Sequence, residues 1–359
     1  MPYAERVKTP HRVAGVVTPK GNPEVGPSPA EEEMDIGDVL AEAVQAVEKP
    51  TLPHDRRRIL ISDDGPTEWF LSSARRWIIA MMADEGVHEP IEAGERVTKA
   101  EIRSRESGKL AGLYVADLLI REWMPGAHFT WSGGEGTEIE AGTCILTIEA
   151  DRHQILVCER ILLNILGRLS GIATNTARWV ADSQIPLAAT RKTAWGALDK
   201  AAVAVGGGLT HRIHRADALM LKENDLAATA EAGERGPSRV RSILRDIPLK
   251  STGAFATIEV RTLDETLAAA ETWAERMLEA GGDVRLNIMM DNMSPELTRD
   301  AVLDIETRGL REYITLEASG NILFENLDEW QSSGVDVIST SGLHRATRPL
   351  DLTCIFQGA

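Results

Sequence analysis

Three things are scarce in this 359-residue chain, and each scarcity removes a class of protein. Cysteine is the first. Cys144, Cys158 and Cys354 are odd in number and far apart, so they offer neither a disulfide framework nor zinc spacing; buried, reduced thiols are expected. Long apolar runs are the second. No stretch of about 18 uncharged apolar residues occurs, which excludes a membrane-spanning helix. The opening MPYAERVKTPHRVAGVV carries charge and proline where a secretory signal would need an apolar core, and the expected compartment is the cytoplasm. Positive charge is the third. Lys plus Arg number 39 against 55 for Asp plus Glu, and the net charge of −16 repels nucleic acid and anionic membranes at long range. An anionic substrate would need cations concentrated locally against that field.

What is present is ordinary for a globular protein: 43% hydrophobic and 26% charged residues. The length suits one large α/β domain and a smaller one. Half of the 16 prolines fall within the first 53 residues, amid charge and few aromatics, so residues 1–33 read as a flexible tail. DIGDVLAEAVQAVEK at 35–49 has helical spacing, and PTEWFLSSARRWIIAMMADEG at 66–86 predicts a helix with Thr67 as a possible N-cap. Between about 95 and 150 short strands surround one helix, KLAGLYVADLLIREW, which predicts a mostly antiparallel α+β unit. The segment from His153 to Ser183 is helical over roughly 28 residues, with Gly167, Ser170 and Gly171 small enough to admit another element.

Thereafter strand and helix alternate. PLAAT, LMLK, TIEV, NIMM, ITLE and VDVIS are separated by helical patterns, one of them starting with Ser294 and Pro295 at N-cap and N1. Continuous apolar strands in such alternation form a parallel sheet covered by helices, and six or seven units fit a closed barrel better than an open doubly wound sheet. The expected organisation is an α/β sandwich over 34–167, completed by 343–359, and an α/β barrel over 168–342.

In barrels of this kind the C-terminal strand ends carry the chemistry. Here they carry Arg191 and Lys192, Lys222 and Glu223, Glu259, Asp291, Glu317, and Ser339 to Gly342. Any one is ordinarily a solvated loop charge, but a converging series makes a pocket with cations on one side and carboxylates on the other. His211 and Arg212 join the cations; Glu259 and Asp291 are the carboxylates, suited to Mg²⁺ or to a developing positive charge. Gly206, Gly207 and Gly208 more often make a sharp turn, but their position before His211 allows a close backbone approach to a ligand. Ser319-Gly320 and Ser339-Thr340-Ser341-Gly342 follow the last two strands, where barrels place a phosphate. His214 and Arg215 read as surface or ion-pair residues. A Schiff-base lyase using Lys192 or Lys222 is a different reading, which explains one lysine but neither the cation cluster nor the carboxylate pair.

The chain resembles the quinolinate phosphoribosyltransferases, the carboxylating nicotinate-nucleotide pyrophosphorylases. The resemblance rests on KLAGL at 109–113, ERILLNILGRLSGIAT at 159–174, TRKT at 190–193, AVAVGGGLTHR at 202–212 and LMLKEND at 219–225. IEVRTLDE at 258–265, IMMDNMSP at 288–295, LEASGNI at 316–322 and GVDVIS at 334–339 continue it in order, over about residues 35–355. It implies an N-terminal sandwich, a C-terminal barrel, quinolinate and phosphoribosyl pyrophosphate as substrates, Mg²⁺ as cofactor, and a homodimer, or a higher oligomer, with shared active sites.

By matching motifs, Arg160 would enter the partner's quinolinate pocket, lined by Arg191, Lys192, His211, Arg212 and Lys222. Glu259 and Asp291 would face ribose and metal, with Lys192 beside them in the catalytic set. Ser319, Gly320, Ser339, Ser341 and Gly342 would hold the 5-phosphate. Three departures stand out: Asp225 replaces a histidine, Asn321 replaces a second glycine, and Thr340-Ser341-Gly342 replaces a Gly-Ala. Two residues are missing between Trp195 and Lys200, and segments are inserted near 230–250 and 272–286. A related transferase acting on another pyridine or azole carboxylate is the alternative that the Asp225 change keeps open.

Overall fold

The computed structural model describes residues 52–222, 235–247, 253–282 and 284–357. The expected tail at 1–33 and helix at 35–49 lie outside the described residues, as do Glu223, Asn224, Asp225 and the two ends, 230–234 and 248–250, of the 230–250 insertion.

Helix α1 (Glu68–Asp84) begins where Thr67 accepts the Phe70 N–H, and its buried face, Phe70, Ala74, Ile78 and Met82, repeats every four residues. Strand β1 (Val97–Ser104) buries alternate residues Ala100, Ile102 and Ser104, the mark of a sheet covered on one face. Helix α2 (Leu113–Trp123), β2 (His128–Trp131) and β3 (Cys144–Asp151) follow. Asp151 then caps α3 (Arg152–Asp182), the long connecting helix, by accepting the His153 N–H.

The alternating half contains β4 (Leu187–Ala189), α4 (Ala197–Val205), β5 (Leu219–Leu221), α5 (Gly236–Asp246), β6 (Ala256–Val260) and α6 (Leu263–Ala280). It continues with β7 (Leu286–Asp291), α7 (Pro295–Thr307), β8 (Ile314–Ser319), α8 (Leu327–Trp330) and β9 (Val337–Thr340). Ser294 caps α7 as its sequence predicts. The last strand, β10 (Leu352–Phe356), returns to the N-terminal half.

Two main sheets result. One is antiparallel in the order β10-β1-β3-β2; the other is parallel in the order β4-β9-β8-β7-β6-β5. Every residue of β6, β8 and β9 is buried, because helices cover one face and the curled interior fills the other. The α/β barrel expectation holds for the architecture, with one refinement: the curled sheet is a half-barrel. Leu209 pairs with β4, but among the described residues no strand pairing joins it to β5. Arg56 bonds both lips of this opening, donating its N–H to Thr210 Oγ1 at 2.9 Å and its guanidinium to Asp217 at 2.9 Å.

Small residues on α3 have the expected use. A Cβ at Gly171 would collide with the Arg348 carbonyl and one at Gly167 would lie 2.9 Å from that of Leu350, so the chain leading into β10 crosses the helix there. The three cysteines are free thiols, but only Cys158 is buried; Cys144 and Cys354 are half-buried, a correction to the expected uniform burial. Desolvation pushes the Cys158 thiol up to about 12 and keeps it protonated and inert. Among the described residues no helix is long and apolar enough to cross a membrane.

Candidate active site

The C-terminal ends of the half-barrel strands surround a cavity of about 240 Å³. Arg191 and Lys192 follow β4, His211 and Arg212 follow the Leu209 segment, Lys222 follows β5, Asp291 ends β7, and Ser319 and Ser339 lie at the ends of β8 and β9; all line it. Each parallel strand delivers its terminal side chains to one mouth, so residues up to 148 positions apart converge.

Glu259, in β6, stands beside this wall and accepts a hydrogen bond from Lys222 Nζ. Arg261 lies 3.9 Å from Glu259 and 3.5 Å from Asp291, so one guanidinium spans both carboxylates. Asn292 donates to Asp291 at 2.8 Å and accepts from Asn321 at 2.9 Å. Asn292 and Asn321 both have left-handed backbones, φ 58° and 53°, a conformation asparagine tolerates better than most residues. Asn321 therefore keeps the turn that glycine would make and adds a hydrogen bond.

Behind the cation wall sits Lys200 of α4, 2% exposed. Its ammonium donates to the carbonyls of Ala189 and Thr210, tying the two segments that carry Arg191 and Arg212. Burial, with the nearby Arg191 and Arg212 charges, brings its pKa down to about 7. Asp199, fully buried, accepts two hydrogen bonds from Arg168 and the N–H groups of Ala194 and Trp195, which fixes the loop carrying Arg191 and Lys192.

Both halves of the chain match one family: residues 87–170 match "Quinolinate phosphoribosyl transferase, N-terminal domain" and residues 172–354 match "Quinolinate phosphoribosyl transferase, C-terminal domain". The chain belongs to the quinolinate phosphoribosyltransferase family. It is 37% identical over 276 residues to a probable carboxylating nicotinate-nucleotide pyrophosphorylase of Methanothermobacter thermautotrophicus, covering 75% of this chain and 91% of the relative. To the chloroplastic carboxylating enzyme of Arabidopsis thaliana it is 32% identical over 267 residues, covering 71% of this chain and 73% of the relative. The solved nicotinate-nucleotide pyrophosphorylase of Francisella tularensis superposes with a TM-score of 0.63 at 27% identity, over 80% of this chain and 97% of that one.

In this member of the quinolinate phosphoribosyltransferase family several candidate residues do not line the strand-end cavity. Arg160 is on α3 in a separate cleft of about 510 Å³ with Arg168, Trp195 and Arg348, and does not line the strand-end cavity. A Cβ at Gly206 would lie 2.6 Å from the Ala173 carbonyl and one at Gly208 2.9 Å from Thr176, so their bareness serves packing on α3. A Cβ at Gly320 would lie 2.5 Å from Asn292 Oδ1 and one at Gly342 2.6 Å from the Trp179 ring, so these two glycines also sit against protein side chains. Ser341 is half-buried and absent from the cavity lining, whereas the buried Ser339 hydroxyl reaches that lining without a hydrogen-bond partner. His214 stacks on Trp69, with ring centroids 5.7 Å apart.

Glu317 is the largest correction. It lies inside β8 rather than at its end, and is fully buried, touching His54, His211 and Asn287. Burial alone would raise its pKa, but the His211 and His54 rings outweigh burial and hold the carboxyl well below the usual range.

Lys200, Asp199, Arg261 and His54 are not among the residues that the sequence patterns single out. Arg261 stood in the quoted IEVRTLDE run, two residues after Glu259, where strand alternation would have put both on one side. His54, Glu317 and His211 form the only metal-ligand cluster among the described residues. The Arg212 N–H donates to His211 Nδ1 at 2.8 Å, however, so the ring proton is on Nε2, which then cannot coordinate a cation. Glu259 and Asp291 instead offer the hard carboxylate oxygens that suit Mg²⁺.

Proposed function

We propose that the chain joins quinolinate to phosphoribosyl pyrophosphate, releasing nicotinate mononucleotide, pyrophosphate and CO₂ on the route to NAD. The observation that carries this reading is the mouth itself: Arg191, Lys192, Arg212 and Lys222 face Asp291 and two serines across one small cavity. Quinolinate is a dianion and its co-substrate a polyanion. Bringing them together requires several cations, since two unit charges ~4 Å apart interact by ~4 kcal/mol at intermediate dielectric.

Arg212 and Arg191 suit the ring carboxylates because a guanidinium fork matches a carboxylate in shape and fixes the ring plane. The unpartnered Ser339 hydroxyl and the β8 and β9 ends offer donors to the 5-phosphate. As the bond from ribose C1 to pyrophosphate breaks, positive charge develops at C1, and the carboxylates of Glu259 and Asp291 would stabilise it. The pyridine nitrogen bonds to C1. The resulting pyridinium draws in the electron pair left at C2 when CO₂ departs, and C2 then takes a proton from solvent. Glu259 and Asp291 would hold Mg²⁺, which supplies charge neutralisation for the pyrophosphate. The lysine-lyase alternative, through Lys192 or Lys222, accounts for one lysine and not for the cation cluster, and Lys222 is engaged with Glu259 rather than presented as a bare amine.

A two-fold homodimer with shared sites, working in the cytoplasm, completes the reading. The shared site is supported by the place of Arg160, which lines a cleft separate from the cavity of its own subunit. An assay of CO₂ and pyrophosphate release, with Mg²⁺ and phosphoribosyl pyrophosphate, tests the reaction. Equal amounts of both are expected from quinolinate; turnover of nicotinate but not quinolinate would refute it. Random exchange between inactive Arg160→Ala and Lys222→Ala subunits is expected to restore about a quarter of the wild-type sites. Mixed dimers that form but stay inactive would place Arg160 in its own subunit's site.

A further inference from the structure

His54 precedes both family-matched spans, which begin at residues 87 and 172, yet it is fully buried inside the half-barrel. We infer that His54 is a positioning residue for Arg212, acting through Glu317 and His211, an inference that rests on the quinolinate reading above.

The relay can be followed atom by atom. His54 Nε2 lies 3.1 Å from Glu317 Oε2, and His211 Nε2 lies 3.2 Å from both Glu317 oxygens. Asn287 Nδ2 donates to the same carboxylate at 2.6 Å. An ionised carboxylate only accepts, so both imidazoles donate from Nε2. For His211 the other nitrogen agrees independently, because Nδ1 accepts the Arg212 N–H at 2.8 Å. Both nitrogens of His211 are thus used within the protein. Although it lines the cavity, its hydrogen bonds are spent on Glu317 and on the backbone of its neighbour.

That backbone needs such support. His211 has φ 53°, a left-handed conformation uncommon outside glycine, which persists where surrounding contacts over-determine it. The turn aims Arg212, whose Nη1 donates to the Ala218 carbonyl at 3.2 Å. The N-terminal segment reaches the same loop a second time. Arg56 binds Asp217, and Asp217 accepts the Ile213 N–H at 2.9 Å, one residue beyond Arg212. His54 packs with its ring centroid 4.8 Å from His211 and 5.1 Å from Phe255, so its shape and its Nε2–H are both committed. With its donor removed, one buried lone pair of Glu317 goes unpaired and the carboxylate no longer holds His211 in one orientation.

The test combines a spectrum and a kinetic split. In wild-type protein labelled with ¹⁵N-histidine, His211 at neutral pH is expected to be neutral, with the proton on Nε2 and a bare Nδ1. The opposite tautomer, or an imidazolium, would overturn the inference without any reference to substrate. His54→Phe keeps the ring and removes the donor; it is expected to raise KM for quinolinate about tenfold or more, with kcat within about threefold. His54→Gln, whose amide can donate in place of Nε2, is expected to restore KM. An unchanged KM in His54→Phe, or a folded His54→Gln as impaired as His54→Phe, would contradict the relay. If His54→Phe does not fold, the wild-type spectrum and His54→Gln decide. Wild-type turnover of quinolinate separately tests the parent reading.

Discussion

Glu259 and Glu317 are the same residue type on two strands of one curled sheet, and they live in opposite chemistries. Glu259 is at the rim, 8% exposed, and is engaged by the charged side chains Lys222 and Arg261. Glu317 is in the interior, 0% exposed, and is held by two histidine rings and an amide. At the rim, mobile full charges can exchange one another for substrate and solvent. In the interior no exchange partner exists, so the carboxylate is saturated by fixed donors. In the proposed reaction the rim does the chemistry and the interior holds the rim in place.

The sharpest contrast comes from cutting each region. Glu317→Ala removes the shared acceptor of three buried donors and is expected to cost about 3–5 kcal/mol in urea unfolding, because those donors are left unsatisfied. Lys222→Ala, at a half-exposed position, is expected to lower kcat/KM about 100- to 1000-fold while changing stability by less than about 1 kcal/mol. Similar stability losses in both variants would erase the distinction.

Lys200 joins the two regions, and its titration sharpens the comparison. Its folded pKa, about 7, is below the ordinary 10.5. Between those values the unfolded chain binds the extra proton, so wild-type stability is expected to rise with pH relative to Lys200→Met, by at most about 1.4 kcal/mol per unit. Stability curves that run parallel from pH 7 to 10 would contradict this. The smallest effect is expected at the outer edge of the rim. Asn321→Gly relieves a left-handed side chain but loses one exposed hydrogen bond to Asn292, so stability and quinolinate turnover are expected to change by less than about 1 kcal/mol and threefold.

The rim was legible in the sequence because strand periodicity and the strand-end rule together locate Arg191, Lys192, Lys222 and Asp291 without any coordinates. The same rule misplaced Glu317 by treating a mid-strand residue as terminal, since the segment ITLEAS does not itself say where its strand stops. The glycines of 206–208 were legible as special but not as packing residues; their neighbours on α3 are some 30 positions earlier. His54 carried no local signal. Its partners are 157 and 263 positions away, and only the open side of the half-barrel brings them together. Arg160 could be given a role by family pattern alone, and its separate cleft is consistent with that role.

Whether the strand-end cations form a site for a pyridine dicarboxylate is decided by calorimetric titration of the wild-type protein with quinolinate and with nicotinate. One quinolinate per subunit is expected to bind, at least about tenfold more tightly than nicotinate, because the second carboxylate gains its own charged partners. Equal affinity for the two acids, or no binding of quinolinate, would contradict the account.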